Sequence, residues 1–347
     1  MHPDQPVFLR ACRSLPVERV PVWFMRQAGR SLPEFRALRG TSSVLDAIAR
    51  PELAAELTLQ PVRRYGVDAA ILFSDIVTPL AAIGVGVDVV AGRGPVVSRP
   101  FRSASDIARL RVPDAAGDLA HVAEAARIVA AELGDAVPLI GFCGGPFTLA
   151  CYLVEGGASR DFRRTKALMW EEPDLWAQLT RALADIAVEF LQVQVAAGAR
   201  AVQIFDSWAG LLAPAAYAAH VLPAAGRIFD GLAASGVPRI HFGVGTGEIL
   251  PLMAAAGADV VGVDWRVPLA GARRRLGTGI AVQGNLDPVA CLAPWPVVAA
   301  EATAVLDDAG DEPGHIFNLG HGVLPETDPG ILAEIVGLVH ERRSRDA

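Results

Sequence analysis

Met25-Arg26-Gln27-Ala28-Gly29-Arg30 sets two guanidinium groups, a carboxamide and a glycine-freed backbone directly after the apolar stretch Pro21 to Phe24. Arginine forks hold carboxylates and phosphates through paired N–H donors. Arg36 and Arg39 follow with only Glu34 against them, so residues 23–39 carry four positive charges and one negative in a chain of formal net charge −7. A cationic patch of this kind in an acidic protein is the equipment of an anion site. Several arginines together point to a ligand with several anionic groups.

Other residues could complete such a site. Asp75, in Leu72-Phe73-Ser74-Asp75-Ile76, is a lone acid between apolar stretches. It is either a helix N-cap or a carboxylate facing a cleft, where it could accept N–H donors or stabilise a developing cation. Asp206-Ser207 carries the same choice. His321 lies in Asn318-Leu319-Gly320-His321-Gly322, and its glycine neighbours favour a ring that points into a pocket over one packed in the core. Tyr152 reads equally as a buried aromatic or a site residue. Gly243-Val244-Gly245-Thr246-Gly247 resembles a phosphate-cradling turn but lacks the Gly-Lys-Ser/Thr ending of a P-loop. His241 has no ligand-spaced Cys, His or Asp beside it, so no metal is expected. Of the 31 basic residues only Lys166 is lysine, in the helix-like segment Arg160 to Trp170, which argues against Schiff-base chemistry.

Eight short apolar runs could position these groups: Pro21 to Met25, Ala69 to Phe73, Val137 to Phe142, Ala201 to Phe205, Pro238 to Val244, Asp259 to Val263, Gly277 to Val282 and His315 to Leu319. They are nearly continuous, not alternating, as in parallel strands buried on both faces. Helical periods lie between most of them, at Pro51 to Tyr65, Leu119 to Glu132, Leu175 to Ala197, Glu248 to Ala256 and Pro329 to Arg343. This alternation predicts a single α/β domain over residues 1–347, a (β/α)8 TIM-type barrel, with a doubly wound sheet as the competitor. Catalytic groups of such barrels come from the carboxyl ends of the strands. Those ends carry Arg26 and Gln27, Ser74 and Asp75, Cys143-Gly144-Gly145, Asp206 and Ser207, Gly245, Asp264, Asn285 with Asp287, and His321. Val85 to Ser98 reads as a hairpin inserted after the second strand.

Composition narrows the setting. Apolar residues make up 52% and charged residues 20%, as in globular proteins, and net acidity argues against a nucleic-acid partner. Cys12, Cys143, Cys151 and Cys291 are scattered and no secretory signal is evident, so free thiols in the cytoplasm are expected. Ala136 to Val154 carries no charge and is long enough to span a bilayer, but its prolines and glycines predict strand, tight turn and helix, and no membrane span.

The sequence blocks also carry a family resemblance. Pro21-Val22-Trp23-Phe24-Met25-Arg26-Gln27-Ala28-Gly29-Arg30 with Leu32-Pro33-Glu34-Phe35-Arg36 resembles the amino-terminal signature of the uroporphyrinogen decarboxylases. Gly141-Phe142-Cys143-Gly144-Gly145-Pro146-Phe147-Thr148-Leu149, running on to Tyr152, resembles their second signature. Phe73-Ser74-Asp75-Ile76, Phe205-Asp206-Ser207-Trp208-Ala209-Gly210, Gly284-Asn285-Leu286-Asp287-Pro288 and Asn318-Leu319-Gly320-His321-Gly322 resemble further blocks in the same order, so the likeness covers essentially the whole chain. Ser31 stands where the family usually has an aromatic residue.

The resemblance implies a distorted barrel with its cleft at the carboxyl ends of the strands, a homodimer, and a role in haem and porphyrin biosynthesis. It implies removal of the carboxyl groups from the four acetate arms of uroporphyrinogen III, giving coproporphyrinogen III, with no metal or organic cofactor. Carried over, the substrate contacts fall on Arg26, Gln27, Ala28, Gly29, Arg30, Asp75, Tyr152, Ser207 and His321, with Asp75 and Arg26 catalytic. The alternative is a zinc-dependent methyltransferase of the same superfold, moving methyl groups between a corrinoid and a thiol. A non-enzymatic tetrapyrrole-binding barrel would keep the arginines without needing Asp75.

Overall fold

The computed structural model describes residues 5–29, 31–90 and 92–342. Nine strands are formed among them: β1 Ala70–Ile71, β2 Val87–Val90, β3 Gly94–Val97, β4 Leu139–Gly144, β5 Ala201–Phe205, β6 Arg239–Phe242, β7 Val260–Gly262, β8 Ala281–Gln283 and β9 His315–Ile316. Seven of them make one parallel sheet in the order β1-β4-β5-β6-β7-β8-β9, and helices fill the connections. This is the distorted barrel that the alternation predicts. β4 is buried at every residue, as its continuous apolar run requires.

One expected strand is reduced to a bridge. Pro21 to Met25 lies beside β9, joined through Val22 and Phe317: Phe317 N–H donates to the Pro21 carbonyl (2.8 Å) and Trp23 N–H to the Phe317 carbonyl (3.3 Å). Proline has no N–H to offer a ladder. On the other flank, Asp68 replaces a partner strand. Its backbone N–H donates to the Val22 carbonyl (2.8 Å) while its carboxylate accepts the Val22 N–H (2.8 Å). The segment therefore occupies the eighth position of the ring without forming a regular strand. Gly277 to Val282 also begins later than predicted, because Gly277 and Gly279 adopt φ of 76° and 89° and the strand starts only at Ala281.

Ala136 to Val154 folds as anticipated, into β4, a turn at Gly145 and helix Pro146–Glu155. Among the described residues no helix is long and apolar enough to cross a membrane. The predicted helix Pro51–Tyr65 forms over that span, opening on a proline and closing on Gly66 in the left-handed region. The hairpin is present as the antiparallel pair β2 and β3. Behind the sheet, helix Pro173–Ala196 buries Trp176, Leu179, Leu183 and Phe190 against its neighbours. The four cysteines are free and buried.

Candidate active site

A cleft of about 1040 Å³, counted out to its open mouth, lies at the carboxyl ends of the strands. Its floor is apolar, with Phe73 beyond β1, Phe142 of β4 and Phe205 of β5, the last two meeting edge to face at 5.4 Å. Arg26, Ala28, Ser74, Asp75, Tyr152, Ser207 and His321 rise around it, and Pro95 of the hairpin reaches its edge. Sequence segments up to 295 residues apart converge here, from Arg26 to His321.

Arg26 is presented by a tight turn. Gln27 N–H donates to the Phe24 carbonyl (3.0 Å), and Arg26 takes φ of 61°, a region that side chains rarely adopt. Such strain persists only where surroundings over-determine it. The surroundings are visible: a Cβ on Gly29 would lie 2.8 Å from the Arg26 carbonyl, and one on Gly322 would overlap the Arg26 stem. Gln27 completes the fastening. Its side chain is fully buried, accepts the Phe24 N–H (3.0 Å) and donates to the Ala69 carbonyl (3.1 Å). Both ends of the amide are used by the backbone, and Gln27 is not among the residues lining the cleft. Gly29 likewise lies outside the lining. Arg30 lies outside the described residues.

Asp75 is not an N-cap of the following helix Thr78–Ala82, whose cap position is Val77. Its Oδ1 accepts the Val77 N–H (3.0 Å), while its own N–H donates to Thr78 Oγ1 (3.1 Å). Burial raises its pKa above the ordinary carboxylate value, opposed by the Val77 amide and the Arg26 charge. Tyr152 is pushed up to about 12 by burial and then by the Asp75 charge, so its hydroxyl keeps its proton. His321 is pushed down to about 4 by burial and by Arg26, and its ring packs beside Phe242 with centroids 6.0 Å apart. At neutral pH the described lining therefore offers one cation, one carboxyl group and neutral O–H and N–H donors over an aromatic floor. Such a site suits an anionic ligand with an apolar face and N–H groups to share.

The remaining strand-end residues are structural. The Gly245 amide is taken by the Asp264 carboxylate, which also accepts the Arg266 N–H (2.9 Å), so the glycine-rich turn has its anion partner within the chain. Asn285 donates to the carbonyls of Asp264 (2.9 Å) and Val267 (2.7 Å). His241 is buried with one ring nitrogen 3.4 Å from the Met253 carbonyl. Lys166 spends its ammonium on the Leu211 carbonyl (2.9 Å). Trp208 and Thr148 line the cleft without having been singled out. Trp208 packs against both Tyr152 and Phe162, with ring centroids 4.4 Å apart and the planes tilted, and it follows the selected Ser207 directly in sequence.

Barrel and cleft together define a protein of the (β/α)8 superfold with an anion-accepting cleft at the carboxyl ends of its strands. The family model described as uroporphyrinogen decarboxylase (URO-D) matches residues 4–342, and the chain belongs to that family of carboxy-lyases. It is 59% identical over 342 residues to the uroporphyrinogen decarboxylase of Salinispora tropica, covering 99% of this chain and 91% of that one. With the Streptomyces griseus subsp. griseus enzyme of the same name it shares 60% over 340 residues, covering 97% and 92%. Among solved structures, a methyltransferase from Methanosarcina mazei has a TM-score of 0.80 at 22% identity, covering 97% of this chain and 98% of that one. That likeness is one of fold. The family match favours decarboxylation over the methyltransferase alternative.

Proposed function

We propose that this chain removes the carboxyl groups of the four acetate arms of uroporphyrinogen III to give coproporphyrinogen III, in porphyrin and haem biosynthesis. The observation that carries the reading is the pairing of Asp75 and Arg26 across an aromatic-floored cleft, in a chain that matches the family from end to end.

Loss of CO₂ from an acetate arm leaves an electron pair that must be accepted. A pyrrole of the reduced macrocycle can accept it once a ring carbon is protonated; protonation of the resulting exocyclic methylene yields the methyl group, and loss of the proton first added to the ring carbon restores the aromatic pyrrole. The substrate thus serves as its own electron sink, and no cofactor is invoked. Asp75 accepts hydrogen bonds from the inward-pointing pyrrole N–H groups and stabilises the positive charge that develops on the ring, an effect strengthened where water is excluded. Arg26 and Arg30 grip carboxylate arms, with the Ala28 and Gly29 backbone allowing close approach. Gln27 holds the turn from behind. Tyr152, Ser207 and neutral His321 orient the remaining arms by hydrogen bonds. Arginine is a poor acid at its ordinary pKa, so Arg26 acts by aligning the carboxylate and a proton-carrying water. The working form is a homodimer with no nucleic-acid or membrane partner.

The test is anaerobic incubation of the purified protein with uroporphyrinogen III, followed by oxidation and chromatography. Products with seven to four carboxylates are expected. Unchanged eight-carboxylate substrate would overturn the reading.

A further inference from the structure

Asp206 precedes Ser207 yet turns away from the cleft and is fully buried. Helix Pro146–Glu155, which carries Tyr152, starts without a cap of its own: its cap position is Gly145 and no side chain there satisfies the first turn. Asp206 fills that gap from the neighbouring strand end. Its Oδ1 accepts both the Thr148 N–H (2.9 Å) and the Thr148 hydroxyl (2.7 Å). The Thr148 oxygen in turn accepts the Trp208 N–H (3.2 Å). A Cβ on Gly145 would overlap the Asp206 side chain, so the glycine is what admits the carboxyl group. One carboxyl group thereby ties together Thr148, Trp208 and, through a tilted ring contact of 4.4 Å, Tyr152, all of which line the cleft.

The groups facing it are uncharged at neutral pH. Cys143 on β4, Cys151 on the same helix and Tyr217 on helix Pro214–His220 are all pushed up by burial. Oδ2 has no hydrogen-bond partner among the described residues. Burial holds the Asp206 carboxyl up at about 6, opposed by the Thr148 hydroxyl and the amides of Thr148 and Phe147. The anion makes charge-assisted bonds, and the helix N-terminus favours it. The neutral acid makes weaker ones.

We propose that Asp206 is a positioning residue for the decarboxylation: its carboxylate clamps Thr148 and through it fixes Trp208 and Tyr152 as one wall of the cleft, and protonation loosens that wall. The proposal rests on the decarboxylase reading above. It is tested by steady-state turnover of uroporphyrinogen III between pH 5 and 8 for wild type, Asp206→Asn, Thr148→Val and the double variant, with circular dichroism reporting folding. In the wild type kcat/KM falls as pH drops through about 6. Asp206→Asn loses that fall, because an amide does not titrate. Each single variant raises KM about tenfold at pH 7.5 with a much smaller change in kcat, as displacement of a binding wall requires. The double variant is no worse than the worse single one, since both break the same link. A folded Asp206→Asn with the acid limb intact assigns the limb to Asp75 and overturns the clamp, as does a KM that stays at the wild-type value in Thr148→Val. If Asp206→Asn does not fold, Thr148→Val carries the test by itself. Wild-type protein that forms no coproporphyrinogen counts against the decarboxylase reading, whereas variants indistinguishable from an active wild type count against the clamp alone.

Discussion

Asp75 and Arg26, the pair proposed to carry the reaction, each occupy a demanding position in the cleft. Burial disfavours the Asp75 anion, and the Val77 amide and then the Arg26 guanidinium offset that only in part, while Arg26 holds a backbone conformation that Gly29 and Gly322 leave room for. Asp75→Asn keeps the shape and the hydrogen bond from Val77 but removes the charge. Turnover should fall by about 100-fold or more, the scale of losing a preorganised electrostatic group. Binding of uroporphyrin, the oxidised ring, followed by fluorescence quenching, should change less than about threefold. Near-normal turnover would remove Asp75 from its role. The identity of these residues was legible in the sequence because polar groups cluster at barrel strand ends for chemical reasons. The direction of each side chain was not. Gln27 and Asp206 are as polar and as well placed in sequence as Arg26 and Ser207, yet they point at backbone groups that orphan donors and acceptors left open.

At the level of elements, the site depends on how strand ends are tied to one another. Gln27 joins the arginine turn to the backbone just before β1. Gln27→Leu preserves bulk and leaves the Phe24 N–H and the Ala69 carbonyl unsatisfied. It should destabilise the protein by about 1–3 kcal/mol and raise KM more than it lowers kcat, measured by denaturant unfolding and steady-state kinetics. Unchanged values of both would show that the amide fastens nothing. Strand and helix positions were largely readable because periodicity and burial act locally, as in Pro51–Tyr65 and the hairpin. The first strand is reduced to a bridge, because Pro21 has no N–H to give and the Asp68 carboxylate, not a strand, takes the Val22 N–H on the other flank.

For the whole molecule, buried imidazoles set the acid side of stability. His241, His315 and His321 are each pushed down to about 4 by burial. Their folded values lie below the unfolded value of about 6.5, so the stability they contribute is fully present above pH 6.5 and is lost as pH falls toward 4. Each accounts for about 3 kcal/mol over that window. Asp206 acts in the opposite sense: its folded value of about 6 lies above the unfolded one, so its contribution is present at low pH and lost as pH rises through 6. Asp75 acts in the same sense as Asp206, and with three histidines against these two aspartates the melting temperature should fall between pH 6.5 and 4, and His241→Gln should make that fall shallower. A melting temperature flat across the window would contradict the buried neutral rings. None of this was evident from the sequence, where a histidine's burial depends on which face of a strand the closed barrel turns inward.

The seam beside Val22 has a consequence for the outermost helix. Asp68, which substitutes for a strand there, is shared by the Val22 N–H, the Arg19 guanidinium and the His340 ring nitrogen (2.8 Å), the last from helix Pro329–Glu341. The ring is thus buckled by side chains drawn from three distant parts of the chain. A buckle can be undone without tearing any strand from its neighbour. The arginine turn begins two residues beyond it, at Phe24, so the docking of the terminal helix on Asp68 and the placement of Arg26 share one short stretch of chain. The last helix lines no part of the cleft, yet through Asp68 it is tied to the segment that presents Arg26.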